Sequence, residues 1–158
     1  KDISYLVTEN FFYSSITARE YLSLFKNPLF NLDKWNELFS LPLDNIIDSY
    51  STGMKKKLAL LSVLKQDKSI MILDEPFNGV DIQSNIIITE IIHKLKELGK
   101  IIIISSHIFS TLNDTCDEIL ILENNVISKR VLKSEFNQLE SEMKKITIGN
   151  KIELLGLK

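Results

Sequence analysis

The apolar positions change their rhythm near residue 70. Before it, Ile3–Val7 is a short strand-like run, and from Thr17 the apolar residues recur at helical spacing. Thr17-Ala18-Arg19-Glu20 places a hydroxyl three residues ahead of a carboxylate, the capping-box pattern. It predicts a helix that buries Tyr21, Leu22 and Phe25 and stops near Asn27-Pro28. A second helix carries Leu32, Trp35, Leu38 and Phe39 and ends before Pro42. A third follows Gly53, with Leu58, Leu61 and Leu64 toward a core and Lys55, Lys56 and Lys57 at its start. Residues 17–66 are expected to form a small helical subdomain.

From Ile70 strands and helices alternate through residues 67–133. Ile70–Leu73 and Ile101–Ile104 are continuous apolar runs, the form expected of strands with helices over both faces. Between them Asp81 caps a helix that repeats Ile87, Ile88, Ile91, Ile92, Leu95 and Leu98, and Gly99 ends it. A helix with Ile108, Phe109, Leu112 and Cys116 inward follows the second strand. Then come a strand at Ile119–Leu122, a tight turn at Asn124-Asn125 and a returning strand at Val126–Ser128. Ser134 is expected to cap a last helix running to about Lys144, and residues 134–158 form a tail. The fold class is α/β: a mostly parallel sheet flanked by helices, with ligands at the carboxyl ends of the strands.

Composition narrows the function classes. A chain of 158 residues, 44% hydrophobic and 25% charged, suits one compact domain. A net charge of −2 argues against a nucleic-acid grip built on bulk positive charge. The longest apolar runs fall far short of the ~20 residues that span a bilayer. Cys116 is the only cysteine, which excludes an intramolecular disulfide and a cysteine-built zinc cage. Of the two histidines, His93 shares a polar helix face with Glu90, Lys94 and Glu97 and reads as solvated surface. The start of the chain lacks the apolar stretch of a secretory signal and has no initiator Met, so it reads as a cut end in a cytosolic protein.

Three short segments carry chemistry. Asp74-Glu75-Pro76 follows the first apolar strand directly, where one carboxylate can hold a water of a Mg²⁺ ion and the next can face an attacking water. Alone, the pair could equally be two acids in a strand-to-loop turn. Ser105-Ser106-His107 ends the next strand, and if the two strands are neighbours His107 lies beside Glu75. The plain alternative is a helix-start histidine bonded to its own turn. Ser51-Thr52-Gly53 stands at a helix start, where free N–H groups and the helix dipole favour an anion. It also fits an ordinary helix cap followed by a solvated lysine run at Lys55–Lys57.

Together these segments, with Asn78-Gly79-Val80-Asp81, resemble the nucleotide-binding domain of ATP-binding cassette (ABC) proteins in order and spacing from about Ile3 to Lys133. The resemblance implies a P-loop NTPase-like fold, ATP and Mg²⁺ as cofactors, and hydrolysis of MgATP. Ser51, Thr52 and Gly53 fall in the signature motif that touches the γ-phosphate held by a partner domain. Asp74 falls at the Mg²⁺ carboxylate of the Walker B motif, Glu75 at the catalytic base and His107 at the switch histidine. Asn78–Asp81 is the D-loop at the dimer interface, with Asp81 its nucleotide-side member. The implied partners are a second nucleotide-binding domain in a homodimer and a membrane-spanning permease subunit. The implied place is the cytoplasmic face of the cell membrane.

The pattern also departs from the family. Thr52 and Met54 stand where Gly and Gln are usual, a variant similar to that of bacterial exporters of drugs, lantibiotics or similar peptides. Thr8 stands at the Q-loop glutamine, where its shorter hydroxyl could still ligate Mg²⁺ or a water, and Asn78 replaces a serine. No Gly-x-x-x-x-Gly-Lys-Ser/Thr loop occurs in the chain, so it is expected to be the carboxyl-terminal part of such a domain. By itself it should neither bind ATP tightly nor turn it over. Without a central strand and helix it should show an apolar patch and associate with itself or another chain. The rival readings are a soluble ABC ATPase of translation or DNA repair and a non-hydrolysing regulatory module.

Overall fold

The structure, a computed structural model, describes residues 2–147. Two compact units divide the chain, Lys1–His107 and Ile108–Lys158.

In the first unit, strands β1 (Ile3–Leu6), β2 (Ile70–Asp74) and β3 (Ile101–Ser105) form a parallel sheet in the order β1-β2-β3. The register sets Ile3 opposite Ile70 and Ile70 opposite Ile101, and it sets Asp74 opposite Ser105. Helices α1 (Ala18–Ser23), α2 (Leu32–Phe39), α3 (Thr52–Lys65) and α4 (Ile82–Glu97) complete the unit. The expected capping box is present: the Thr17 N–H donates to Glu20 Oε2 at 2.7 Å, and the Glu20 N–H donates to Thr17 Oγ1 at 3.2 Å. One core joins the helices to the sheet through Leu22, Phe39, Leu58, Leu61, Met71 and Ile88.

Cover on both sheet faces does not occur. Met71 and Leu73 are buried beside Leu6, but the opposite face leaves Ile3, Tyr5, Ile101 and Ile103 each more than half exposed. Side chains alternate faces along a strand, and within this unit no described element buries the second one. Apolar spacing overstated burial elsewhere as well: Leu38, Leu98 and Ile108 are exposed. The first helix stops at Ser23, leaving half-buried Phe25 beyond it.

The second unit holds α5 (Phe109–Thr115), the antiparallel pair β4 (Glu118–Glu123) and β5 (Val126–Leu132), and α6 (Phe136–Thr147). Asn124 and Asn125 both take positive φ, 51° and 64°, as a two-residue hairpin turn requires. Ile119, Val131, Phe136 and Leu139 form its core. Ser134 does not cap α6; it sits inside a 3₁₀ turn, Lys133–Glu135, that leads into the helix. The part of the expected tail beyond residue 147 lies outside the described residues. Among the described residues no helix is long and apolar enough to cross a membrane.

Candidate functional site

The parallel sheet brings three strand ends to one edge, and the polar residues of the sequence gather there. Thr8 follows β1, Asp74 and Glu75 end and follow β2, and Ser105 and His107 end and follow β3. Thr8 Oγ1 donates to Asp74 Oδ2, and Ser105 Oγ donates to Asp74 Oδ1. These two hydroxyls, Ser105 foremost, hold the Asp74 carboxyl below the usual aspartate range, with a smaller contribution from the charge of Lys56.

Glu75 turns out of the strand. Its N–H donates to the Ser105 carbonyl at 3.1 Å, and its own carbonyl accepts from the Asn78 N–H at 3.2 Å, closing a turn with Pro76 in the second position. Its φ is +47°, a left-handed conformation that costs a non-glycine residue about 1–2 kcal/mol. Pro76 adds to this by disfavouring the right-handed helical alternative for the residue before it. The turn delivers the carboxylate to His107: Glu75 Oε1 accepts from the His107 N–H at 3.1 Å and lies 2.8 Å from Nδ1. A carboxylate can only accept, so Nδ1 carries a proton and Nε2 is left for another partner. Glu75 Oε2 is buried and takes no hydrogen bond from the described residues. The imidazole is 70% exposed and the Glu75 side chain 19%, so the ring is the open half of the pair.

Ser51, Thr52, Gly53 and Asp81 are not joined to this cluster; they occupy the starts of α3 and α4. Ser51 Oγ accepts from the Met54 N–H at 3.3 Å, an ordinary cap. Asp81 accepts from the Ser84 N–H at 2.8 Å and from the Ser84 hydroxyl at 2.9 Å; these bonds, ahead of the Lys57 charge, hold its carboxyl below the usual range. Gly53 serves a close approach, but within the chain: a Cβ there would sit 3.0 Å from the Gly79 carbonyl oxygen. Gly79 itself has φ +77°.

Two residues gained importance that sequence reasoning had not assigned. Lys56 is not part of a solvated run; it is 5% exposed, and its Nζ donates to the Asp74 carbonyl at 3.2 Å. Burial lowers its pKa, opposed by the charges of Asp74 and Glu75. The signal was its place one turn before buried Ala59 and Leu60. Ser105 stands out in the sequence only as part of a motif, and its bond to Asp74 follows from the strand register. His93 is half-buried rather than fully solvated.

The oxygen donors around Asp74 suit a hard cation such as Mg²⁺, which takes one or two carboxylates and completes its shell with water and phosphate oxygens. The described residues hold no cluster of three or more His, Cys, Asp or Glu for a metal. The oxygen-only donor set fits Mg²⁺, which Asp74 could hold as the protein ligand.

No protein-family model matches the chain. It is 31% identical over 111 residues to the chelated iron transport system membrane protein YfeB of Yersinia pestis, covering 70% of this chain and 36% of that protein. It is 35% identical over 97 residues to the ABC transporter ATP-binding protein NatA of Bacillus subtilis, covering 61% and 39%. The manganese transport system ATP-binding protein MntA of a Synechocystis strain is 28% identical over 100 residues, covering 63% and 38%. The chain thus spans between a third and two fifths of the length of these relatives. A solved structure described as the ATP-binding subunit of an ABC transporter superposes with a TM-score of 0.79 at 25% identity, covering 88% of this chain and 62% of that one.

Proposed function

Because its relatives and its fold are those of an ABC transporter ATP-binding domain, we propose that the chain is part of the ATP-hydrolysing subunit of such a transporter. The observation that carries this reading is the Glu75–His107 contact beside Asp74 at the carboxyl edge of a parallel sheet. Asp74 would hold Mg²⁺, kept ionised and oriented by the Thr8 and Ser105 hydroxyls. Bound there, the ion would supply positive charge to offset that of the transferring phosphoryl group. Glu75 would orient the attacking water and accept its proton at the carboxylate. His107, held through Nδ1, would present Nε2 to a terminal phosphate. Ser51, Thr52 and Gly53 would act on nucleotide held by a second copy, with Asp81 at the contact between copies. The whole protein would work as a homodimer under a membrane-spanning permease, on the cytoplasmic face of the membrane and without nucleic acid.

The Thr52 and Met54 variant of the signature supports export of drugs or peptides as the transport task. The iron and manganese transport systems among the relatives favour a second reading, transport of a transition-metal ion. The chain alone lacks a phosphate loop and is expected to be inactive. Adding a separately expressed segment with a Gly-rich phosphate loop should restore phosphate release, and Glu75→Gln should abolish it. Hydrolysis by the unaccompanied chain that Glu75→Gln removes would overturn the expected inactivity. No hydrolysis in the reconstituted pair would count against the enzyme itself.

A further inference from the structure

The peptide between Asp74 and Glu75 is gripped at both ends. Its carbonyl accepts from Lys56 Nζ at 3.2 Å, and its N–H donates to the Ser105 carbonyl at 3.1 Å. One grip comes from the first turns of α3, 18 positions back in sequence, and the other from the end of β3, 30 positions on from Asp74's neighbour. Glu75, the residue this peptide leads into, holds φ +47°. A non-glycine side chain stays in that region only where its surroundings over-determine it.

We propose that Lys56 is a positioning residue: with the end of β3 it clamps the 74–75 peptide and holds Glu75 in the left-handed conformation that turns its carboxylate to His107. Rotating that peptide would break both grips at once and swing Glu75 Oε1 away from the His107 N–H and ring. The ammonium has little alternative, because Lys56 is 5% exposed and a buried donor is costly to leave unpaired. A lysine serves here because its long stem passes from a helix to the end of a strand while its head finds a main-chain acceptor. The clamp therefore acts on Glu75 through the backbone, by way of the Asp74 carbonyl. Its value to catalysis rests on the hydrolase reading above, whereas the clamp itself is tested without nucleotide, so the two can fail separately.

The test is amide hydrogen exchange by NMR on the 158-residue chain. In Lys56→Met the Glu75 amide should exchange at least tenfold faster and the His107 ring resonances should move. The Met71 and Ile103 amides, in the same sheet, should stay within about twofold. Lys56→Cys in a Cys116→Ser background, converted to aminoethylcysteine with bromoethylamine, restores an amine of lysine length and should restore Glu75 protection. Uniform acceleration across the sheet would mean that Lys56 is only a packing residue and would overturn the proposal, as would Glu75 protection unchanged in Lys56→Met. Should the substituted chains not fold, the unsubstituted chain decides. Slowly exchanging Lys56 ammonium protons with a through-hydrogen-bond coupling between Nζ and the Asp74 carbonyl carbon support the clamp, and a freely exchanging ammonium sinks it.

Discussion

Asp74 lies opposite Ser105 in the parallel register of β2 and β3, and that single pairing brings Glu75 within 2.8 Å of His107. Each strand ends on the first residue of a polar segment, so aligning the ends aligns the segments. The contact is a property of the sheet, not of a flexible loop finding its partner. Loss of the acid or the ring should therefore impair chemistry more than folding. In the complete protein, Glu75→Gln is expected to lower kcat by about 10²–10⁴-fold, and His107→Ala to act in the same direction. Both should leave MgATP affinity within a few-fold of the parent. Phosphate-release kinetics with an equilibrium nucleotide-binding measurement separate the two effects. A Glu75→Gln protein with full kcat would remove Glu75 from the role of base.

Asp74 makes a prediction about pH. Ser105 and Thr8 donate to its two oxygens and hold its pKa in the folded chain below the ordinary 3.8. A carboxyl with a depressed folded value adds stability that is complete above the ordinary value. That stability is lost as the pH falls from there through the folded value. Ser105→Ala should cost about 1 kcal/mol or less near neutral pH, because the carboxylate is partly open to solvent. The gap between parent and variant should close below about pH 4 as Asp74 is protonated in both states. Urea midpoints over a pH series read this directly. A gap that widens on acidification would mean that the hydroxyl stabilises the protein by some other route.

The parts of this site differ in how far they were legible in the chain. Ile70–Leu73 followed by Asp-Glu, and Ile101–Ile104 followed by Ser-Ser-His, mark strand ends because an unbroken apolar run stops at a polar residue. The neighbouring order of those strands is a long-range fact, and the Glu75–His107 contact was therefore only conditional until the register was known. Lys56 was hidden for a different reason: three consecutive lysines look like solvated surface, and only the helix face they fall on separates them. Cover on the second sheet face was misread from the apolar runs, since an apolar strand reports its own character and not what lies over it.

Gly53 offers a test of packing. As the second residue of α3 it would normally tolerate alanine, which favours a helix by up to about 1 kcal/mol. A Cβ there meets the Gly79 carbonyl at 3.0 Å, and a main-chain atom held by its own turn does not yield as a side-chain tip would. Gly53→Ala should thus lose about 1 kcal/mol net, the overpacking penalty outweighing the helix gain. Thermal or urea unfolding supplies the measurement. A stabilised Gly53→Ala would show that the Asn78–Asp81 segment moves away at no cost.

The open sheet face governs how the chain behaves alone. Ile3 and Ile101 flank Ile70 in one row of the register, and Tyr5 and Ile103 flank Ile72 in the next. The four outer side chains are 55%, 59%, 53% and 54% exposed in that order. Parallel sheets are rarely stable with a bare apolar face, and contiguous exposed apolar surface drives association. The chain is expected to associate with a second copy through this face at micromolar concentration. Replacing Tyr5 and Ile103 together by threonine puts a β-branched residue that strands favour at both positions while making the face more polar. The double variant should sediment as a monomer, with its unfolding free energy within about 0.5 kcal/mol of the parent at concentrations too low for the parent to associate, because neither side chain belongs to the buried core. Unchanged association in Tyr5→Thr/Ile103→Thr would place the contact on some other surface.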